Sequence, residues 1–401
     1  MRRLCIPGVL LAVCAAWPVA AHQGMDWCPD PDEPASAGGT WVWQLPRNFP
    51  VPRVPADNPM SASKVELGRH LFYEKKLSAN ATVSCGSCHL QSRAFTDGKA
   101  RSAGATGELT ARNAQNLANV AWHATFTWAN PALVSLERQM LVPIFGEDPV
   151  EMGINDRNKQ AVLRRIEQSA SYRQRFARAF PGERKPVSWD NVIKAIAAFE
   201  RTLISGDSRF DRYQRGELAL APAEMRGKDL FFGEKAECFH CHGSFNFNDQ
   251  VVHEKSREVE TPFHNTGLYN VDGKGAYPAA SQGIIEVTGK PDDMGKFRAP
   301  SLRNVALTAP YMHDGSIATL EAVVATYAAG GRNLTQPPHA GDGRRNPHKS
   351  ELIGNISLSP QEQADLLAFL KTLTDEAFLN DKRHADPFAA KGGKPRPASR
   401  R

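Results

Sequence analysis

No apolar run long enough to cross a bilayer occurs in the 401 residues. The longest, Leu4–Ala16, is too short. It follows Arg2 and Arg3 and precedes Val19-Ala-Ala21, the order of an export signal. Residues 1–21 are therefore expected to be a signal peptide cut near Ala21, placing a soluble mature chain in the periplasm. A rival reading takes Leu11-Ala-Val-Cys14 as a lipobox, but Val13 suits that cleavage poorly. Cysteine is also scarce, at seven. Cys5 and Cys14 leave with the signal and Cys28 stands alone, which argues against a disulfide framework. The formal charge is only +6, and two of those charges lie in the signal. No basic stripe interleaved with aromatics is present, so nucleic acid is not an expected partner.

What is there is mostly helical pattern. Apolar residues fall at helical spacing in Val65–Phe72, Lys159–Phe180, Trp189–Ile204, Ala223–Phe232 and Leu320–Ala328. Ser359-Pro-Gln-Glu362 reads as a capped helix start that continues through Asp365–Leu373. Residues 22–60 form a proline-rich arm that carries Trp27, Trp41 and Trp43 and is expected to lie on the body through them. Gly243–Pro291 and Gly330–Leu358 lack regular patterning and read as long functional loops. Residues 386–401 read as a basic, solvated tail.

The remaining cysteines are organised. Cys85-Gly-Ser-Cys88-His89 and Cys238-Phe-His-Cys241-His242 both read Cys-x-x-Cys-His. In such a motif two thiols attach a haem covalently and the adjacent imidazole binds its iron. Gly68-Arg-His-Leu-Phe72 precedes the first motif and Gly227-Lys-Asp-Leu-Phe231 the second. This repeat predicts a mainly α fold of two cytochrome c-like haem domains, residues 61–205 and 206–385, meeting near the polar stretch Ser205–Glu217. Zinc is the competing reading, but each Cys pair sits on its own repeat with its own His. His240 reads as a spacer.

With these motifs the chain resembles the bacterial di-haem cytochrome c peroxidase and MauG superfamily over nearly all its mature length. Within it the chain is most similar to MbnH-type enzymes of methanobactin and copper-handling clusters. That similarity rests on Trp41-Val-Trp43-Gln-Leu-Pro, Phe49–Met60, Phe95-Thr-Asp-Gly98, Leu117-Ala-Asn-Val120 and Thr127-Trp-Ala-Asn-Pro131. The resemblance implies that the first haem meets hydrogen peroxide, with Gln139, Pro143 and Glu151 on its open side. Glu151 is the expected acid/base, since one carboxyl group can take a proton from one peroxide oxygen and give it to the other. Many peroxidases block this iron with a histidine from the loop after the motif; the matching residue is Ala105, so the first haem is expected to be open. His123 nearby reads as structural.

The resemblance also implies a closed, six-coordinate second haem. Tyr327 falls in the helix after Pro310-Tyr-Met-His-Asp-Gly315, where peroxidases place a methionine and MauG a tyrosine; Met312 and Met294 are rival ligands. A thioether favours ferrous iron, whereas a phenolate favours Fe(IV). Trp128 is expected to relay electrons between the haems, and Asn119 with the carbonyls of Arg298 and Pro300 to hold one calcium ion. MauG's surface tryptophan before the second motif is replaced by Ala236. The implied activity is peroxide-driven oxidation, through a bis-Fe(IV) state, of a tryptophan of an MbnP-like copper-binding protein to kynurenine. The alternative is a cytochrome c peroxidase that takes electrons from a small cytochrome or cupredoxin.

Overall fold

The computed structural model describes residues 41–354 and 356–389. The expected signal peptide, Cys28, Trp27 and most of the basic tail lie outside the described residues. The described chain is mostly helical, with one short antiparallel pair, Asn333–Leu334 against Gly341–Asp342. No helix among the described residues is long and apolar enough to cross a membrane.

Seven helices frame the sites: α1 (Ala62–Tyr73), α2 (Lys159–Glu167), α3 (Ala170–Ala179), α4 (Trp189–Glu200), α5 (Pro222–Phe231), α6 (Leu320–Ala328) and α7 (Pro360–Lys371). The continuous helix expected over 159–180 is broken into α2 and α3. Ser169 leaves the helical conformation there, and its hydroxyl accepts from the Tyr172 amide as the cap of a new helix. The Ser359 capping box forms as the sequence predicts.

The sequence repeat is a repeat of packing. Helix α1 crosses α4 at Gly68, and α5 crosses α7 at Gly227. A methyl group on Gly68 would sit 1.9 Å from the Ala195 carbonyl oxygen, and one on Gly227 1.9 Å from that of Asp365. Only hydrogen fits between these backbones. Gly68→Ala or Gly227→Ala is expected to cost about 1–3 kcal/mol through overpacking. A fall in the Tm of the haem-loaded protein would register it, and an unchanged Tm would refute the crossing. Around the first crossing one core gathers Leu67, Phe72, Phe95, Phe176, Ile196 and Phe199. Around the second, another gathers Phe210, Phe231, Phe247, Val324 and Phe369. Phe378, from the short helix Glu376–Asn380 after α7, returns to the first core.

A polar seam joins the repeats. Asn119 and Asn304 both adopt the left-handed conformation, with φ of 60° and 61°. Their amides donate to Leu203 O and Leu373 O, at 2.8 and 2.9 Å. The Asn119 side chain brackets Ser205, accepting from its amide and donating to its carbonyl, both at 2.8 Å. The Ser205 hydroxyl donates to Asp375 at 3.0 Å and accepts from Asn304 at 3.1 Å. Ahead of α1, residues 41–60 run without helix or strand. Phe49 lies 5.6 Å from Trp122 and 4.7 Å from Phe245, and the Trp122 indole donates to Pro50 O at 2.9 Å.

Candidate functional site

Each Cys-x-x-Cys-His motif forms a short helical turn, Cys85–Cys88 in one repeat and Phe239–His242 in the other. The following loop then turns a carbonyl back onto the imidazole. His89 Nδ1 lies 2.7 Å from Phe95 O and His242 Nδ1 2.9 Å from Phe247 O. A carbonyl can only accept, so Nδ1 carries the hydrogen and Nε2 keeps its lone pair. That is the tautomer an iron ligand needs. Burial lowers the pKa of both imidazoles, His89 and His242, so they are neutral donors. Burial also pushes the Cys85 and Cys88 thiols up, and that of Cys238 up to about 12. Thioethers carry no charge and suit such positions. The donor set therefore fits two covalently attached haems. His240 is exposed, as a spacer would be.

Beside the first motif, the Ala105 loop and the Glu151 segment are laced together. The Ala105 amide donates to Glu151 O at 2.6 Å, and the Ala105 carbonyl accepts from Asn80 at 2.6 Å. A methyl on Gly104 would lie 1.9 Å from Val150 O, so the loop cannot stand further off. Pro143 joins the same wall, its carbonyl accepting from the Met152 amide at 2.9 Å. Glu151 makes no side-chain hydrogen bond among the described residues, and burial raises its pKa. Its charge reaches both Cys85 and Cys88 and raises their thiols. Gln139 ends the turn Leu136–Gln139, one turn before Pro143, and its side chain has no hydrogen-bond partner among the described residues. Sequence reasoning missed Glu200, a buried acid at the end of α4. Burial pushes its pKa up to about 8, against the pull of Arg201.

The second motif opens on a large cavity. Its wall includes Cys238, Cys241, His242, Tyr327, Met312 and Trp128. Helix α6 carries Tyr327 into it. The phenol has no hydrogen-bond partner among the described residues, and burial pushes its pKa up. Of the rival sulfurs, Met312 shares the cavity wall. Met294 does not; it packs in the cluster around Tyr269 and Phe297. Trp128 is half-buried, with its indole donating to Asn113 O at 2.8 Å.

Of the three residues expected to hold calcium, Arg298 and Pro300 line this cavity and Asn119 does not. The Asn119 side chain is spent on Ser205, in the seam between the repeats. Asn113 stands on the cavity wall with Arg298 and Pro300 instead. The Arg298 guanidinium contacts the Thr127 carbonyl, Gln115 and His123 Nδ1. Burial and this cation hold the buried His123 well below its ordinary pKa, which fits a structural imidazole.

A further pair was missed. His264 meets Asp249 at 2.5 Å beside Cys241, the three donor atoms lying within 4.8 Å of one another. Burial opposes charge on His264, but the Asp249 carboxylate beside it draws the pKa up. With Cys241 engaged in a thioether, two donors remain, so this is an ion pair at the haem edge. Phe95-Thr-Asp97 and Phe247-Asn-Asp249 follow the two motifs in parallel, and that repeat is the signal that marks Asp249.

The chain is similar to known proteins over most of its length. A cytochrome-c peroxidase of Denitromonas iodatirespirans is 36% identical over 83% of this chain and 87% of its own. The methylamine utilization protein MauG of Methylorubrum extorquens is 33% identical, over 83% and 84%. A solved structure described as a MauG-like protein associated with microbial copper homeostasis is 61% identical. It superposes with a TM-score of 0.86 over 87% of this chain and 99% of its own. The profile of the di-haem cytochrome c peroxidases matches residues 62–219. Two haem motifs on repeated helix crossings, together with relatives of this identity and coverage, place the chain in the di-haem cytochrome c peroxidase family of peroxide-dependent oxidoreductases.

Proposed function

We propose that this protein uses hydrogen peroxide to oxidise a tryptophan of a partner protein to kynurenine, rather than to consume peroxide at the expense of a small cytochrome. The observation that carries the reading is Tyr327. An oxygen donor with no hydrogen-bond partner among the described residues faces the same cavity as His242, Cys238 and Cys241. The haems, when bound, supply the redox chemistry. A hard anionic oxygen favours high-valent iron, where a thioether would favour the ferrous state.

The chain's own groups do the rest. Glu151 holds and moves one proton beside the first motif. Ala105 leaves that side without an imidazole, and the Glu151–Ala105 hydrogen bond fixes the loop there. Trp128 relays electrons from the wall of the second cavity. Arg298 and Pro300, with Asn113 beside them, offer the wall on which a calcium ion would bind. The similarity to a protein associated with copper homeostasis supports an MbnP-like copper-binding partner. The export signal supports a periplasmic setting.

A second reading has its own support. Met312 lines the cavity with Tyr327, and a methionine ligand there would make the protein a peroxidase fed by a small cytochrome or cupredoxin. Peroxide added to the fully oxidised enzyme separates the two. A near-infrared charge-resonance band, formed without any reductant, is the expected result. A requirement for one ferrous haem, with rapid turnover of reduced cytochrome c, would establish the peroxidase.

A further inference from the structure

A protein-modifying oxidase must draw electrons from outside, and Ala236 offers no redox-active side chain before the second motif. Tyrosines occupy another wall. Tyr277 lines the cavity with Tyr327 and His242. Its ring centroid is 5.4 Å from that of Tyr269, and Tyr269 is 5.7 Å from His339. His339 is half-buried in the 335–340 loop, between exposed Pro338 and Ala340.

The two tyrosines differ in what their hydroxyls meet. The Tyr277 hydroxyl donates to the amide oxygen of Asn265 at 2.8 Å and accepts from the Leu268 amide at 3.1 Å. An amide is a poor base. The buried Tyr269 hydroxyl donates to the Asp314 carboxylate at 2.6 Å. The Asp314 carboxylate is held in place by the Ser316 amide, which donates to it at 3.0 Å, so an acceptor stands fixed against the phenol.

We propose that Tyr269 is the relay through which electrons enter from the protein substrate, with Asp314 as its proton acceptor and Tyr277 as the step to the second haem. This rests on the reading of the protein as a peroxide-driven oxidase of a partner. One electron leaves the Tyr269 phenol toward the oxidised haem site. Its O–H bond breaks, and the proton crosses one hydrogen bond to Asp314. The phenoxyl oxygen then takes an electron from an aromatic side chain of the partner, and Asp314 returns the proton. Each hydrogen peroxide, reduced to two waters, accepts two electrons and two protons, so the relay turns over twice per peroxide. Tyr277 cannot hold the oxidised state, because its proton has no comparable acceptor.

The test uses the haem-loaded full chain carrying ring-deuterated tyrosine, mixed with peroxide and freeze-quenched. The expected result is an electron paramagnetic resonance signal of a tyrosyl radical, narrowed by deuteration. Tyr269→Phe keeps the ring packing and is expected to abolish the signal and to prolong the near-infrared band. Asp314→Asn is expected to do the same, with haem content and circular dichroism unchanged in both. Wild-type behaviour in either variant overturns the relay while the band itself persists. Absence of the band in the unmodified protein would instead sink the oxidase reading.

Discussion

Glu151→Gln slows the reaction of the oxidised enzyme with peroxide by about 10²–10⁴-fold, the usual worth of a positioned acid/base, and leaves both haems attached. The substitution keeps the shape of the side chain. The main-chain bond from Ala105 to Glu151 O is untouched, so the loop stays where it is. Only the capacity to hold and release a proton is lost. The sign of the pH dependence follows from burial, which raises the Glu151 pKa. The base form is populated only as pH climbs through that raised value. Peroxide reactivity of the unmodified enzyme therefore falls off on the acid side at a pH above about 4.3, the ordinary value for a glutamic acid. Stopped-flow rates against pH would show this limb in the parent and none in Glu151→Gln. An unchanged rate in the variant would remove Glu151 from the chemistry.

Tyr327→Phe is the second large effect. It removes one oxygen from the cavity that holds His242 and leaves the ring to fill the same volume. The low-spin ferric spectrum of the second haem is expected to change completely, and the near-infrared band to disappear. Met312 is the sulfur on that wall, so a methionine-ligated spectrum in the variant would mean that it has moved in. An unaltered ferric spectrum in Tyr327→Phe would show that another residue binds this iron, and the argument from an oxygen donor would fail with it. Tyr327→Met, measured alongside, isolates the donor atom from the packing.

Short-range features were legible in the sequence. The two motifs, the helix at Leu320–Ala328 that carries Tyr327, and the capped start at Ser359 are encoded within a few residues each. Helix ends were less legible. Nothing in the apolar spacing of Lys159–Phe180 marks Ser169, because the periodicity runs on through a cap that only the backbone reveals. Residues that meet across the chain were the least legible. Asp249 and His264 come together 15 positions apart, and Asn113 reaches the wall of Arg298 and Pro300 across nearly half of the sequence. The engagement of Asn119 with Ser205 was hidden for a related reason. Leu117-Ala-Asn119-Val and Leu302-Arg-Asn304-Val are the same phrase written once per repeat. Their shared role is to hold the seam, and a residue that occurs in both halves is the weaker candidate for a site that occurs once.

That seam has a mechanical consequence. Asn119, Ser205, Asn304 and Asp375 tie the end of one repeat to the end of the other through buried hydrogen bonds, with Gly206 and Asp207 also donating to Asp375, at 2.9 and 3.0 Å. A linker fastened on both flanks is a rivet rather than a hinge. The spacing of the two Cys-x-x-Cys-His motifs is then fixed when the chain folds, and neither has to wait for the protein to move before the other can act.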